Sequence, residues 1–458
     1  MEPMSVHQLV PDADHLRTRF SQAMSDMYKK EVPLYADLLS IVAEVDDKVS
    51  REKLPSRHRI ERHGAIRLGT AQELRTIARL FALFNMHPVG YYDLSVVGFP
   101  LHATAFRPLT SSALANNPFR VFTSLLRLDL LPQSTRILAE KTLSRRNIFS
   151  DRLLELLKKA EFHGLLVDDQ DELLTEAMKV FRWHSTATVS HETYTEMNAV
   201  HPMIADIVSF PSAHINHLTP RTLDIDMVQE IMIRRDMPAK ERIEGPPRRN
   251  CGVLLRQTSF KALEEQVWFI DSGGNARDDY HTARFGEVEQ RGAAVTDKGR
   301  ELYDSLLAKT NALAKQKKAN EEEYQHILRV VFTEYPDTWL ELHTQGLVFF
   351  EYRLTGKRPS TTEYKDTQKL SDLLEEGIVE YEPIVYEDFL PISAAGIFTS
   401  NLRGFSNKEI QNSQGNRLLL EESLGAKIQE PISLYEKMQE ESLEECRKGL
   451  GLALILVE

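Results

Sequence analysis

Apolar residues recur at three- and four-residue spacing through residues 7–45, and this pattern predicts helix over the stretch. The pattern changes to alternation at 60–68, which is typical of a strand. A helix is predicted to begin at Thr70, because Thr70 and Glu73 have the spacing of a capping box. The N-terminal part of the chain therefore predicts helix, strand and helix in that order.

Two short strands are predicted next, at 91–97 and 101–108, around a turn at Gly98. Residues 110–200 are mostly amphipathic at helical spacing, so we expect a helical insertion there. The first part of the chain thus predicts a β-α-β-β pattern followed by helices.

A similar pattern returns after residue 200. The sequence predicts, in order, an extended segment at 213–222, a helix at 223–235 and strands at 253–260, 267–270 and 281–292. The two passes, one opening with His63 and the other with His217, predict a pair of similar β-α-β-β-β modules and an α+β fold.

The rest of the chain divides into a charged helix at 300–330 and a region of short strands and helices at 331–458. We expect three parts. They are N-terminal helices with the first module and its insertion (1–200), a second module (201–330), and a C-terminal α+β extension (331–458).

Composition narrows the class of protein. The chain has 458 residues, of which 42% are hydrophobic and 27% charged, as in an ordinary globular protein. Its 56 Lys+Arg against 68 Asp+Glu give a net charge of −12. An acidic chain without a long basic run is a poor nucleic-acid binder, so we expect no nucleic-acid partner.

The two cysteines, Cys251 and Cys446, cannot form a disulfide framework and suit a reducing compartment. No basic region followed by an apolar run opens the chain, so no secretory leader is expected. The apolar tail at 449–457 is about half the length of a membrane helix and predicts a docked strand or packed terminal segment. We expect a cytoplasmic protein with no membrane partner.

Histidine and glutamate side chains on the predicted strands are the candidates for chemistry. Residues two apart on a strand share a face and residues three apart do not. His214 and His217 therefore cannot both point into one site from a regular strand, whereas Glu287 and Glu289 can. With His63, one histidine and one glutamate of these pairs would complete the two-histidine, one-carboxylate set of a non-haem Fe(II) site. The same ligands suit Zn(II), Mn(II) and Co(II), and spacing alone leaves the choice within each pair open.

Several long strings between about residues 55 and 400 carry a resemblance to a known family. They are HGAIRLGT, HINHLTPRTLDID, EGPPRR, LLRQTSFKALEE, HTARFGEVEQRG and YEDFLPISAAGIF. They are similar to the 2-oxoadipate dioxygenase/decarboxylase family, also called hydroxyglutarate synthases, of the vicinal-oxygen-chelate superfamily.

The resemblance implies both a fold and an activity. The paired modules would form a half-open barrel around a metal, wrapped by the N-terminal and inserted helices and covered by the C-terminal extension. The enzyme would use Fe(II) and O2 to turn 2-oxoadipate, a 2-oxo dicarboxylic acid of lysine catabolism, into 2-hydroxyglutarate and CO2.

The resemblance also implies a metal-ligand set. His63, which opens HGAIRLGT, matches the first metal histidine. His217 is preferred over His214, because it has the place of the strand histidine just before the helix of a superfamily module. Glu287 is the third ligand, since GEVEQR is also similar to the FEIIQR string of hydroxyphenylpyruvate dioxygenases; Glu289 is the alternative.

Substrate-binding residues are implied in the same way. Arg67 matches an arginine that holds the substrate, and it would share a strand face with His63. Arg256 and Ser259 in LLRQTSF and Ala395 in SAAGIF (393–398) are further candidates. The structural alternatives are a salt-bridged Arg67, a Ser259 that satisfies backbone groups, and a tight turn at 393–398.

Three alternatives are possible on the same fold. Two are enzymes, namely a Zn- or Mn-dependent isomerase or hydrolase and a dioxygenase of a different 2-oxo acid. The third is a non-catalytic binding or structural protein, and the presence of His63, His217 and Glu287 argues against it. The sequence contains neither a GxxxxGK[ST] phosphate loop nor a GxSxG nucleophile elbow, so no motif points to nucleotide binding or serine hydrolysis instead. Metal identity and oxygen consumption would separate the alternatives.

Overall fold

The structure is a computed structural model. It describes residues 12–50, 54, 56–271, 273–357, 367–389 and 414–457. The chain forms two compact units. The first comprises the described parts of Met1–Glu244, Gln257–Gln290 and Phe389–Gln429, and the second those of Gly245–Arg256, Arg291–Asp388 and Glu430–Glu458. The three ranges expected from the sequence stay a prediction.

Thirteen strands lie in the described residues. They are β1 Glu61–Leu68, β2 His87–Asp93, β3 Leu101–Arg107, β4 Arg120–Leu126, β5 His217–Pro220, β6 Leu255–Ser259, β7 Glu264–Ile270, β8 Ala276–Thr282, β9 Phe285–Arg291, β10 Phe350–Leu354, β11 Thr367–Lys369, β12 Val379–Pro383 and β13 Leu454–Leu456.

Sixteen α-helices lie in the same residues. They are α1 Ala13–Glu31, α2 Pro33–Val49, α3 Ala71–Leu83, α4 Ser111–Asn116, α5 Gln133–Leu143, α6 Asp151–His163, α7 Val167–Phe181, α8 His191–Val200, α9 Pro202–Ser209, α10 Ile225–Arg234, α11 Asp297–Lys317, α12 Glu321–Val331, α13 Trp339–Thr344, α14 Leu370–Glu375, α15 Gln414–Leu424 and α16 Pro431–Leu450.

A seven-stranded sheet organises the first unit, in the order β2-β3-β4-β1-β5-β9-β6. It curls into a half-barrel. The two predicted passes meet at its centre, where β1 and β5 pair antiparallel. The β7–β8 hairpin forms a separate two-stranded sheet. The predicted α+β class and half-open barrel are therefore confirmed.

The two faces of this sheet differ in character. One face packs on helices: Ile66, Leu68, Leu218 and Val288 share a buried core with apolar residues of α1, α2, α3, α7 and α10. Because side chains alternate along a strand, the residues between them point to the other face. That other face carries the polar residues from which the candidate site is built.

Local signals predicted several elements correctly. Thr70 and Glu73 form the expected capping box at the start of α3. The N-terminal helix is confirmed from Ala13 onward, but it is two helices, because proline cannot continue a helix and Pro33 starts α2. The charged helix expected at 300–330 is also two helices, and Asn320 caps the second.

Three strand predictions were wrong. The strand expected at 281–292 is the end of β8 and the whole of β9, with Ala283 and Arg284 between them. The expected strand at 91–97 ends at Asp93, whose side chain caps a 3-10 turn at Leu94–Val97. The mostly helical stretch 110–200 contains the strand β4, which pairs with both β1 and β3. Every residue of β4 is buried, so its sequence shows no alternation of polar and apolar positions.

The second unit contains two small sheets. β10 pairs antiparallel with β12, and Tyr352 of β10 donates its backbone N–H to Ser442 of α16. β13 pairs parallel with β11, which confirms that the apolar tail is a docked strand. Among the described residues, no helix has both the length and the apolar composition needed to cross a membrane.

Candidate metal centre

Three strands bring His63, His217 and Glu287 together on the polar face of the sheet. His63 lies on β1, His217 opens β5 beside Ala65, and Glu287 lies on β9. All three side chains are fully buried, and one ligand atom from each lies within 4.8 Å of the others. The arrangement is the one that the sequence predicted for these residues; their role as ligands stays a prediction.

Polar atoms of this group lack partners. Neither ring nitrogen of His217 nor either carboxylate oxygen of Glu287 has a hydrogen bond in the described part of the chain. Burying such atoms unpaired costs several kcal/mol, on the order of 1–3 for each group. Imidazole nitrogen and carboxylate oxygen are ligands of Fe(II) and related divalent cations. A bound cation would satisfy these atoms, so the residues fit a metal.

Burial also sets the protonation of the group. It lowers the pKa of His63 and His217 well below the usual range, with nearby positive charge adding to the effect. It raises the pKa of Glu287 well above its usual range, and the charge of Glu289 raises it further. Neutral histidines are ready to bind a metal, and a cation beside Glu287 would favour the carboxylate form.

Glu289 and Glu287 lie next to different ring nitrogens of His63. Its Oε2 lies 3.0 Å from His63 Nδ1, while His63 Nε2 lies 3.2 Å from Glu287 Oε1. Arg120 donates from Nη2 to both oxygens of Glu289, at 3.0 and 3.1 Å. The Nδ1 contact lacks hydrogen-bond geometry, so Glu289, the alternative ligand, acts on His63 as a close negative charge. Thr219 Oγ1 lies 3.1 Å from His63 Nε2.

Arg120 is a site residue that the sequence reasoning missed. It opens β4, the strand that was not predicted, and the pairing of β4 with β1 places it beside His63. The run VFTSLL, rich in strand-forming residues, was the signal that could have found it.

His214 lies outside this group. Its Nε2 is 3.1 Å from Asp206 Oδ1, on helix α9. Because β5 begins at His217, three residues later, the two histidines point into different surroundings. The geometry favours His217 over His214.

Arg67 lies four residues after His63 on the same face of β1. Its Nη1 donates to Asp206 Oδ2 at 2.6 Å, and its side chain is 11% exposed. The shared face agrees with the sequence, and the ion pair with Asp206 is of the kind that the sequence analysis kept open as the structural alternative for Arg67. Substrate binding by Arg67 stays a prediction.

Ser259 and Gln257 lie on the polar face of β6. Thr258 between them faces the helices and accepts a hydrogen bond from Gln229 of α10. Ser259 Oγ and Gln257 Nε2 are buried and have no hydrogen-bond partner among the described residues. The following residue donates its backbone N–H to the Gly286 carbonyl, so Ser259 lies close to the β9 strand that carries Glu287.

The structure gives little information on the other predicted substrate-binding residues, Arg256 and Ala395. Arg256 donates from Nε to the Pro246 carbonyl at 3.1 Å, and its substrate role stays a prediction. Ala395 and the segment 393–398 lie outside the described residues.

Aromatic rings enclose the metal group. Phe389 lies edge-on to His63, with ring centroids 4.8 Å apart, and Phe285 stacks on His217 at 4.6 Å. Phe122 packs against Phe389 in turn. These rings exclude water, and a low local dielectric strengthens the interactions of charged groups.

Two histidines and one carboxylate on one face of a cation leave other coordination positions open. This is the arrangement of non-haem Fe(II) oxygenases, in which substrate and oxygen can both reach the metal. The unpaired donors Ser259 Oγ and Gln257 Nε2 would be available to a polar substrate.

Comparison with protein families gives an independent result. Residues 20–401 match the model of the 2-oxoadipate dioxygenase/decarboxylase family. The chain is 47% identical to the 2-oxoadipate dioxygenase/decarboxylase of Pseudomonas putida, over 96% of this chain and 97% of that protein. It is also 47% identical to that of Escherichia coli, over 95% and 98% of the two chains.

Solved structures agree with this result. The crystal structure of the P. putida hydroxyglutarate synthase in complex with 2-oxoadipate matches with a TM-score of 0.84 at 43% identity, covering 97% of this chain and all of that one. A glyoxalase-superfamily protein from Ralstonia eutropha matches at 16% identity with a TM-score of 0.50, covering 63% of this chain and 87% of that chain. This second match shows a shared fold alone.

Proposed function

Because the chain belongs to the 2-oxoadipate dioxygenase/decarboxylase family, we propose that it converts 2-oxoadipate and O2 into 2-hydroxyglutarate and CO2, with Fe(II) as its cofactor. The observation that carries the proposal is the buried group of His63, His217 and Glu287, whose polar atoms fit a divalent cation. The substrate and the product come from the names of the relatives.

His63, His217 and Glu287 would hold the Fe(II). The metal would bind the 2-oxo acid and activate O2 for oxidative decarboxylation and hydroxylation. Glu289, held by Arg120, would place a negative charge beside His63 Nδ1 and so raise the affinity of the ring for the metal.

The reaction balances without a further reductant. The substrate loses its C1 carboxylate as CO2, and its keto carbon becomes the new carboxylate with one oxygen atom from O2. The other oxygen atom enters the adjacent methylene as a hydroxyl group. The two electrons released by decarboxylation and the two taken from the C–H bond reduce O2.

Arg67 would hold the distal carboxylate of the substrate, because a guanidinium pairs with a carboxylate through two parallel hydrogen bonds. Ser259 and Gln257 would donate to other substrate oxygens, since their buried polar atoms otherwise lack partners. The rings of Phe389 and Phe122 would exclude water from the reacting atoms. Arg256 and Ala395 stay further candidates for substrate contact.

The alternative of a zinc- or manganese-dependent isomerase or hydrolase is not favoured. The relatives are named as dioxygenases and decarboxylases, and the structure matched at 43% identity contains 2-oxoadipate. A cytoplasmic location is part of the proposal, because both cysteines are buried free thiols.

The test is oxygen uptake by protein loaded anaerobically with Fe(II), on addition of 2-oxoadipate, with assays for 2-hydroxyglutarate and CO2. We expect one O2 consumed for each product, and loss of the reaction in His217→Ala. His343→Ala is the matched control, because His343 is half-buried and contacts Tyr352 in the second unit. Absence of oxygen uptake by the iron-loaded wild type with 2-oxoadipate would refute the proposed function.

A further inference from the structure

Asp206, on helix α9, is a buried carboxylate that contacts three cationic or donor side chains. Its Oδ2 accepts from Arg67 Nη1 at 2.6 Å. Its Oδ1 lies 2.9 Å from His281 Nε2 and 3.1 Å from His214 Nε2. The carboxylate is therefore held on both oxygens, with Arg67 on one side and two histidines on the other.

The histidines are fixed in turn. Tyr194 Oη lies 2.9 Å from His281 Nδ1, so an Nε2–H tautomer of His281 donates to Asp206 and accepts from Tyr194. Trp183 packs edge-on against His214, with ring centroids 4.7 Å apart, and stacks over His281 at 5.9 Å. We name Asp206, His214, His281 and Tyr194 the Asp206 cluster.

The cluster has an electrostatic cost for an anionic substrate. Although burial opposes it, His214 and Arg67 hold the pKa of Asp206 well below its usual range, so the side chain is a carboxylate near neutral pH. A negative charge beside Arg67 weakens the attraction of Arg67 for a second anion. If Asp206 assists substrate binding, it must therefore do so by an effect other than charge attraction.

The contact with Asp206 orients the guanidinium of Arg67. A guanidinium has five N–H donors in one plane, so a bond from Nη1 to a fixed carboxylate sets that plane and is compatible with a second, bidentate pairing. Arg67 shares a strand face with His63, and a fixed plane would fix the distance from the metal at which a distal carboxylate is held.

We propose that Asp206 is a positioning residue for Arg67, and that the Asp206 cluster thereby selects 2-oxo acids with a second, distal carboxylate. The inference rests on the proposed function, in which Arg67 holds the substrate. Asp206 acts on substrate binding and does not affect the metal ligands.

The test is anaerobic calorimetric titration of Fe(II)-loaded protein with 2-oxoadipate and with 2-oxohexanoate, which has the same chain length but no distal carboxylate. For Asp206→Asn we expect the Kd for 2-oxoadipate to rise about tenfold, because one charge-assisted hydrogen bond to Arg67 is lost. The Kd for 2-oxohexanoate should stay within about twofold of the wild type, because the effect acts through Arg67.

The direction of the change decides between orientation and charge. If Asp206 acted by its charge alone, removing it would tighten the binding of 2-oxoadipate, and that result would overturn the inference. In Arg67→Ala, which should already bind 2-oxoadipate weakly, adding Asp206→Asn should weaken binding no further. An additional loss of the same size in the double variant would also overturn the inference.

Asp46→Asn is the matched control. Asp46 is another buried aspartate of the first unit, and it accepts from Thr222 Oγ1 and the Leu223 N–H at 2.9 and 2.8 Å. It should leave both Kd values unchanged. Should Asp206→Asn not fold, Tyr194→Phe removes only the hydroxyl that fixes His281, and an unchanged Kd for 2-oxoadipate in this variant would overturn the inference.

The outcomes separate the two proposals. Wild type that binds and turns over 2-oxoadipate, with Asp206→Asn indistinguishable from it, would leave the proposed function standing and overturn the inference. Wild type that neither binds nor turns over 2-oxoadipate would overturn both.

Discussion

Replacing Glu289 with glutamine should weaken metal binding without removing a metal ligand. Glutamine keeps the size of the side chain but loses the negative charge, which lies 3.0 Å from His63 Nδ1. Changing a group that supports a metal-binding histidine typically lowers metal affinity about 10- to 100-fold. Because glutamine keeps the shape of the side chain, we expect the low end of this range, about a tenfold rise in the Kd for Fe(II), which corresponds to about 1.4 kcal/mol.

The substitution should also cost stability. Arg120 is fully buried and donates to both oxygens of Glu289, so it would be left with a neutral partner. Breaking a buried ion pair costs about 3–5 kcal/mol when one partner is removed outright, and glutamine retains part of the bonding. We therefore expect a loss of about 2 kcal/mol in the free energy of unfolding.

Equilibrium dialysis against Fe(II) under anaerobic conditions measures the Kd, and urea unfolding measures stability. Glu73→Gln is the matched control, because Glu73 forms a buried pair with Arg146, with N···O distances of 2.9 and 2.7 Å, away from the metal group. It should lose stability and keep its metal affinity. A folded Glu289→Gln protein that binds Fe(II) as tightly as the wild type would refute the reasoning.

Three further outcomes follow from the same structure. His217→Ala should retain less than about a tenth of the bound Fe(II) per chain, because it would lose one of the three proposed ligands, and metal analysis after dialysis checks this. Arg67→Lys should raise the KM for 2-oxoadipate about tenfold with a smaller change in kcat, since lysine cannot pair bidentately with a carboxylate; steady-state oxygen uptake measures both constants, and an unchanged KM would contradict the assignment. Burial, and then Arg127, lower the pKa of His102 from its ordinary 6.5 to about 4. Below pH 6.5 the unfolded chain takes up a proton that the folded chain does not, so stability should fall by up to about 3 kcal/mol as the pH drops from 6.5 to 4; His102→Gln should lack this part of the pH dependence in urea unfolding.

The sequence predicted those parts of the site that depend on local pattern or on resemblance. The alternation at 60–68 predicted β1 and placed His63 and Arg67 on one face, as the structure has them. The two-residue spacing of Glu287 and Glu289 predicted a shared face, and both carboxylates reach His63. The choice of His217 over His214 came from resemblance to a module, and the structure groups His217 with His63.

The missed residues depend on contacts between distant parts of the chain. Arg120 meets Glu289 across 169 positions, on a strand whose uniform burial hides its period. Asp206 meets Arg67 across 139 positions, from a helix with no metal-binding or catalytic motif. Residues so far apart in sequence have no local spacing that predicts a contact. Which carboxylate pairs with which arginine is therefore seen only in the folded structure.

The most direct measurement of the central claim is turnover of 2-oxoadipate by the Fe(II)-loaded protein under ¹⁸O2, followed by mass spectrometry of the product. The account predicts 2-hydroxyglutarate that carries one labelled oxygen in its new carboxylate and one in its hydroxyl group, with release of one CO2. Product without label from O2, or consumption of 2-oxoadipate without oxygen uptake, would contradict it.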